Sequence, residues 1–108
     1  MAERSFSVQA AETLERLLEQ MEALPALDDT DMDIVDGVLT LEFEDGTQII
    51  LNRQEPLQQI WLASPLGPAH FSYDAASDRW LDDRTGESLG EVLGRALSQK
   101  TGQALRLD

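Results

Sequence analysis

Between residues 31 and 52, three short runs rich in apolar and β-branched residues are separated by Asp36-Gly37 and Asp45-Gly46. No other feature of the chain narrows its fold as much. Asp-Gly tolerates the positive φ of tight hairpin turns, so runs joined this way pair antiparallel with their sequence neighbours. The pattern predicts strands near residues 31–35, 38–44 and 47–52. "QQIWLAS" and "AHFSYD", separated by the turn-forming "SPLGP", add two more, and "RWLDD" after "AASD" supplies a short last one. The centre of the chain reads as an antiparallel meander of five or six strands.

Helical periodicity flanks the meander. From Ser7 to Leu24, residues Ala10, Ala11, Leu14, Leu17, Leu18, Met21 and Leu24 recur at three- and four-residue spacing, the mark of one buried stripe. Ser5 or Ser7 can cap this helix, and Pro25 helps to stop it. At about 100° per residue, Glu12, Glu15, Glu19 and Glu22 gather on one flank, with Gln9, Thr13 and Gln20 on the other. Near the C-terminus Ser88 and Glu91 make the reciprocal pair of a capping box. The helix they open carries Leu89, Val92, Leu93, Ala96 and Leu97 on one face, and Gly102 suits its end; Leu105 and Leu107 beyond it either dock or fray.

Helix, meander, helix is an α+β two-layer sandwich in which both helices cover the same sheet face. The second face is left to solvent, where exposed function can sit. At 108 residues the chain is read as a single domain, 1–108, with one core.

The formal charge is −13, and residues 1–45 hold 13 acids against 2 bases, whereas residues 46–108 hold 8 against 6. Such a field repels nucleic-acid phosphates and anionic lipid and draws in cations and basic protein surfaces. Neither nucleic acid nor membrane is therefore an expected partner. The absence of cysteine excludes disulfides, thiolate metal sites and thiol nucleophiles, and fits a reducing compartment. No apolar run approaches the roughly 20 residues of a membrane span. The start, "MAERSFSVQAAE", has neither a basic-then-apolar leader nor an Arg-rich transit look, so the expected location is the cytoplasm.

"LDDTDMDIVDG" brings Asp28, Asp29, Asp31, Asp33 and Asp36 within ten positions. A calcium loop counted from Asp29 needs Gly at its sixth position and Glu at its twelfth, where this chain has Ile34 and Thr40, so that reading fails. What remains is an open ridge. If Asp29, Asp31 and Asp33 lie on an extended edge strand, they share one face beside the helix glutamates. Carboxylates suit Fe(II), Fe(III), Mn, Mg or Ca, and an unchelated ridge without imidazole binds them weakly and with little selectivity. The alternative is a solvated charged face that protects an edge strand from aggregation.

A row of exposed acids implies no glycosidase cleft. His70, the lone histidine, has no nucleophile or orienting acid at a known spacing and reads as a surface polar residue. In "QQIWLA", alternation sends Ile60 and Leu62 to one face and Gln59, Trp61 and Ala63 to the other. If the aliphatic pair faces the helices, Trp61 is an exposed binding anchor; otherwise it packs under a loop. Trp80 reads as core.

"GVLTLEF" and "IILNRQEPLQQIWLASPLGP", in the order acidic helix, acidic first strand, meander, helix, closely resemble the frataxin family, specifically its bacterial CyaY-type branch, over residues 5–102. The resemblance implies an iron-binding protein of iron–sulfur cluster assembly. It holds Fe(II) or Fe(III) weakly on an acidic ridge, with other divalent cations competing, and modulates the cysteine desulfurase and the cluster scaffold protein as regulator or iron donor. Carried over by position, the metal ridge is Glu15, Glu19, Glu22, Asp28, Asp29, Asp31 and Asp33, and the partner-binding face includes Asn52, Gln54, Trp61 and His70. The resemblance implies a monomer without a conventional active site, with a ferroxidase or iron-storing oligomer as one alternative and an acidic docking adaptor without a metal role as another. One departure stands out: "ALPAL", residues 23–27, interrupts the acidic run and splits the ridge into two patches.

Overall fold

The structure is a computed structural model describing residues 5–107; residues 1–4 and 108, the ends of the expected domain, lie outside the described residues. Helix α1 spans Phe6–Glu22. Its cap is Ser5, whose hydroxyl accepts the Val8 N–H and satisfies one of the donors a helix start leaves open. Pro25 does not only stop α1. It opens a single 3-10 turn, Pro25–Leu27, that drives Leu27 into the core. The apolar break in the acidic run thus closes one end of the hydrophobic layer, which explains why no acid stands there.

Six strands follow: β1 (Asp31–Val35), β2 (Val38–Glu42), β3 (Gln48–Gln54), β4 (Gln59–Ser64), β5 (Gly67–Asp74) and β6 (Arg79–Asp82). They form one antiparallel sheet in strict sequence order. The two Asp-Gly turns differ. Asp36 and Gly37 both take positive φ, 51° and 78°, and close a two-residue hairpin. At the second, only Gly46 does (φ 87°); Phe43 donates its N–H to Thr47 at 2.9 Å and the loop is one residue longer. This is why β2 ends at Glu42 and not at residue 44.

The expected turn "SPLGP" also shrinks. Ser64 pairs with Gly67, leaving Pro65-Leu66 as the loop, and Pro68 enters β5 opposite Ala63. Proline is tolerated there because β6 pairs with β5 only from Phe71 onward, so the missing N–H faces no neighbour strand.

Alternation divides the sheet. Leu39, Leu41, Ile49, Leu51, Ile60, Leu62, Phe71 and Trp80 are buried with Ala10, Leu14, Leu17 and Met21 of α1. Helix α2 (Leu89–Thr101) adds Leu89, Val92, Leu93, Ala96 and Leu97 to the same cluster, so both helices lie on one sheet face. Ser88 caps its start by accepting the Glu91 N–H at 3.2 Å, but the return bond of the expected capping box differs, because Glu91 Oε1 accepts from the Ser88 hydroxyl and not from its backbone N–H; Gly102 caps the end in the left-handed conformation at φ 74°. The tail docks: Leu105 and Leu107 pack on the core, and the Leu105 N–H donates to the Ser98 hydroxyl at 2.8 Å.

One helix position was misplaced by periodicity. Thr13, read as part of a polar flank, is buried, and its hydroxyl accepts the indole N–H of Trp80 at 2.9 Å. A tryptophan that is only 4 % exposed needs a partner for its donor, and a threonine on the facing helix supplies it.

Candidate functional site

Two surfaces of unlike character meet along this sheet. The first is the acidic edge. Glu15, Glu19 and Glu22 are exposed along α1, and Asp28 and Asp29 are exposed in the turn that follows the 3-10 segment. Strand β1 begins only at Asp31, so Asp29 does not share the strand face with Asp31 and Asp33 as expected. The chain is still turning at Asp29 because the Thr30 N–H bonds back to the Leu27 carbonyl.

Within β1, Met32 and Ile34 point toward the core, which sends Asp31 and Asp33 to the opposite, open face of the sheet. Helix α1 packs against β1 and β3 from the other side. The carboxylates therefore border one edge of the molecule from both faces. Among the described residues, no group of three or more His, Cys, Asp or Glu side chains is arranged to hold a metal ion. Hard oxygen donors dispersed in this way suit hydrated, exchangeable cations and do not form a closed chelate. Spreading them also limits their mutual repulsion.

The second surface is the open face of the central strands. Register brings Asn52, Trp61 and His70 into one row across β3, β4 and β5, with Gln54, Gln59 and Ser72 in the row below. Three of the four expected partner-binding residues thus share a single cross-strand row, and Gln54 sits beside it. Ile60 and Leu62 are buried beneath, so Trp61 is on the solvent side as alternation requires. Its ring stacks on His70, with centroids 4.3 Å apart and planes at 23°. His70 is exposed and rests on the indole.

Residues that pattern reading did not single out hold the indole in place. The Trp61 N–H donates to Gln59 Oε1 at 2.8 Å. The Gln59 amide nitrogen donates in turn to Asp83 Oδ2 and to the Ser72 hydroxyl at 3.3 Å, and that hydroxyl donates to Asp83 Oδ1 at 2.8 Å. Alternation already placed Gln59 on the Trp61 face. Ser72 and Asp83 become neighbours of it only through the register of β5 and β6, which no local pattern encodes. A cavity of about 560 Å³ lies on the helix side, between α1, the start of α2 and the tail. It includes neither the acidic edge nor the Trp61 row.

A frataxin-like domain model matches residues 1–103. The chain belongs to the frataxin-like family. It is 64% identical over 107 residues to the iron-sulfur cluster assembly protein CyaY of Thioalkalivibrio sulfidiphilus, covering 99% of this chain and 100% of that one. The protein of the same name from Pseudomonas fluorescens strain Pf0-1 is 52% identical over 79 residues, 69% of this chain and 72% of the relative. Among solved structures, frataxin from Psychromonas ingrahamii superposes with a TM-score of 0.80 at 33% identity, over 93% of this chain and 91% of that one. A trimeric frataxin from the yeast Saccharomyces cerevisiae, in a ferrous complex, superposes at a TM-score of 0.67 and 32% identity, covering 95% and 90%. The two-layer sandwich expected from the order of elements, and the frataxin-like fold implied by the resemblance, are both present: six antiparallel strands in one sheet, with both helices on one side. No helix among the described residues is long and apolar enough to cross a membrane.

Proposed function

We propose that this frataxin-like protein serves iron–sulfur cluster assembly in the cytoplasm, binding Fe(II) and Fe(III) weakly on its acidic edge and docking the cysteine desulfurase and cluster scaffold. The observation that carries the reading is the meeting, in one small frataxin-like chain, of an exposed carboxylate edge with a half-buried tryptophan that lies on the solvent side of the sheet and is held in place by hydrogen bonds. The relatives' names and the ferrous complex of the yeast neighbour support the same reading.

In it, Glu15, Glu19, Glu22, Asp28, Asp29, Asp31 and Asp33 collect hydrated iron and, by the same charge, steer a basic partner surface. Asn52, Gln54, Trp61 and His70 give that partner a largely neutral platform to pack on. Because one set of carboxylates meets both metal and partner, iron changes partner affinity, and the partner changes iron affinity by the same factor.

An anaerobic Fe(II) titration of isotope-labelled protein, followed by amide NMR at physiological salt with excess Mg(II), tests the metal half. Broadening confined to Glu15, Glu19, Glu22 and residues 28–33 is expected. Uniform or absent broadening refutes the iron ridge and leaves the acids as a protein-docking surface.

A further inference from the structure

The docking reading treats Trp61 as an exposed anchor, yet its surroundings restrict what the indole can offer. We propose that Asp83, acting through Gln59, is a positioning residue that locks Trp61, so that a partner meets a ring face and not the indole N–H. The inference deepens the docking reading and rests on it for the partner.

The orientation of the Gln59 amide decides which group faces the indole. Its two ends differ: the oxygen only accepts and the nitrogen only donates. An ionised carboxylate only accepts, so Asp83 draws the amide nitrogen toward itself and the oxygen is left facing the Trp61 N–H. Reversing the amide would set two donors against each other at the indole and two acceptors against each other at Asp83. Ser72 reinforces the choice, because its hydroxyl donates to the second Asp83 oxygen at 2.8 Å and accepts from the Gln59 nitrogen.

Asp83 also reaches the other side of the indole. Its backbone N–H donates to the His70 carbonyl at 3.1 Å, and His70 carries the ring stacked on Trp61. One residue past the end of β6 therefore ties down both contacts that orient the tryptophan. With the N–H engaged and one ring face covered by imidazole, what the half-buried indole offers a partner is ring carbon and not its donor. Such a surface takes an apolar or planar side chain, not a hydrogen-bond acceptor. It costs the partner little ordering entropy, because the anchor is already oriented.

The chain contains its own control. It has two tryptophans, and the Trp80 N–H is held by buried Thr13 on the far side of the sheet. In the ¹⁵N spectrum of the free protein, Asp83→Ala should shift the Trp61 indole resonance and raise its solvent exchange about threefold or more, leaving the Trp80 resonance in place. Gln59→Ala should do the same from the other end. Asp83→Asn keeps an acceptor oxygen and should retain the wild-type resonance.

With unlabelled desulfurase–scaffold complex added, the wild-type Trp61 N–H should keep its shift while neighbouring platform amides move. Asp83→Ala should bind about threefold to tenfold more weakly at unchanged Tm. An unmoved Trp61 resonance in Asp83→Ala overturns the proposal. So does Asp83→Asn matching Asp83→Ala, or a Trp61 N–H that shifts on complex formation as a donor given to the partner would. If wild-type protein binds neither partner, the docking reading falls, and the indole resonances of the free protein still decide whether Asp83 positions Trp61.

Discussion

The acidic edge and the open sheet face are built on opposite principles. Along the edge, carboxylates from α1, the following turn and β1 stand apart from one another, supplying charge without a fixed chelating geometry. On the sheet face the Asn52–Trp61–His70 row carries little charge, and its aromatic residue is fixed by a stack and a chain of hydrogen bonds. Charge acts over about 8–10 Å at physiological salt and tolerates loose placement, whereas packing acts only at contact and does not. The first surface is therefore suited to gathering and steering, and the second to holding.

That contrast can be broken at its strongest point first. Trp61→Ala should cost about 2 kcal/mol of partner affinity, roughly thirtyfold, as for a central aromatic anchor, with little change in Tm because the ring lies outside the core. Isothermal titration against the desulfurase–scaffold complex, paired with a melting curve, measures both. A Tm loss that accounts for the affinity loss would make Trp61 structural.

Reversing charge at the edge, with Lys at Glu19, Glu22, Asp29 and Asp31, should act differently. Association should slow about tenfold at low ionic strength, with little change in dissociation, and the effect should fade as salt rises. Stopped-flow binding across a salt series reads this. An effect that survives high salt would mean that the edge also makes fixed contacts.

The smallest expected effect concerns an acid outside both surfaces. Asp45, beside the turn after β2, is held well below the usual carboxylate range first by the Lys100 ammonium of α2 and then by the Thr47 N–H. A depressed folded-state pKa means that the unfolded chain takes up the proton first. This contribution is therefore present above the ordinary Asp value of 3.8 and is lost as pH falls below it. Lys100→Met should make the acid limb of the Tm–pH profile shallower below about pH 4 and leave the ridge acids' cation binding intact. An identical acid limb would show that the exposed pair adds nothing measurable.

How much could be read beforehand differs between the two surfaces. The acids of the edge are visible one by one in the sequence, and their segregation on α1 follows from helical spacing. Their arrangement was harder to read. Asp29 falls in a turn because Leu27 is pulled into the core, and Asp31 and Asp33 face away from α1 because Met32 and Ile34 must face it. On the sheet, the alternation of Ile60 and Leu62 put Trp61 on the solvent side, although the ring is half-buried there. Its partners were not, since Gln59 meets Asp83 across 24 residues.

Local chemistry along the chain determined the elements themselves. Alternation, Asp-Gly turns, a capping box and a three-to-four repeat specify antiparallel hairpins between two helices, and the composition alone makes one half strongly acidic. Pairing register decided the rest, because hydrogen-bonded strands 4.7–4.9 Å apart bring together residues far apart in sequence. The register put Trp61 between Asn52 and His70 and set Ser72 and Asp83 against Gln59, while packing of α1 on the sheet gave Thr13 to the buried Trp80. Each of these contacts satisfies a donor or orients a ring, and each exists only once the strands and helices have packed.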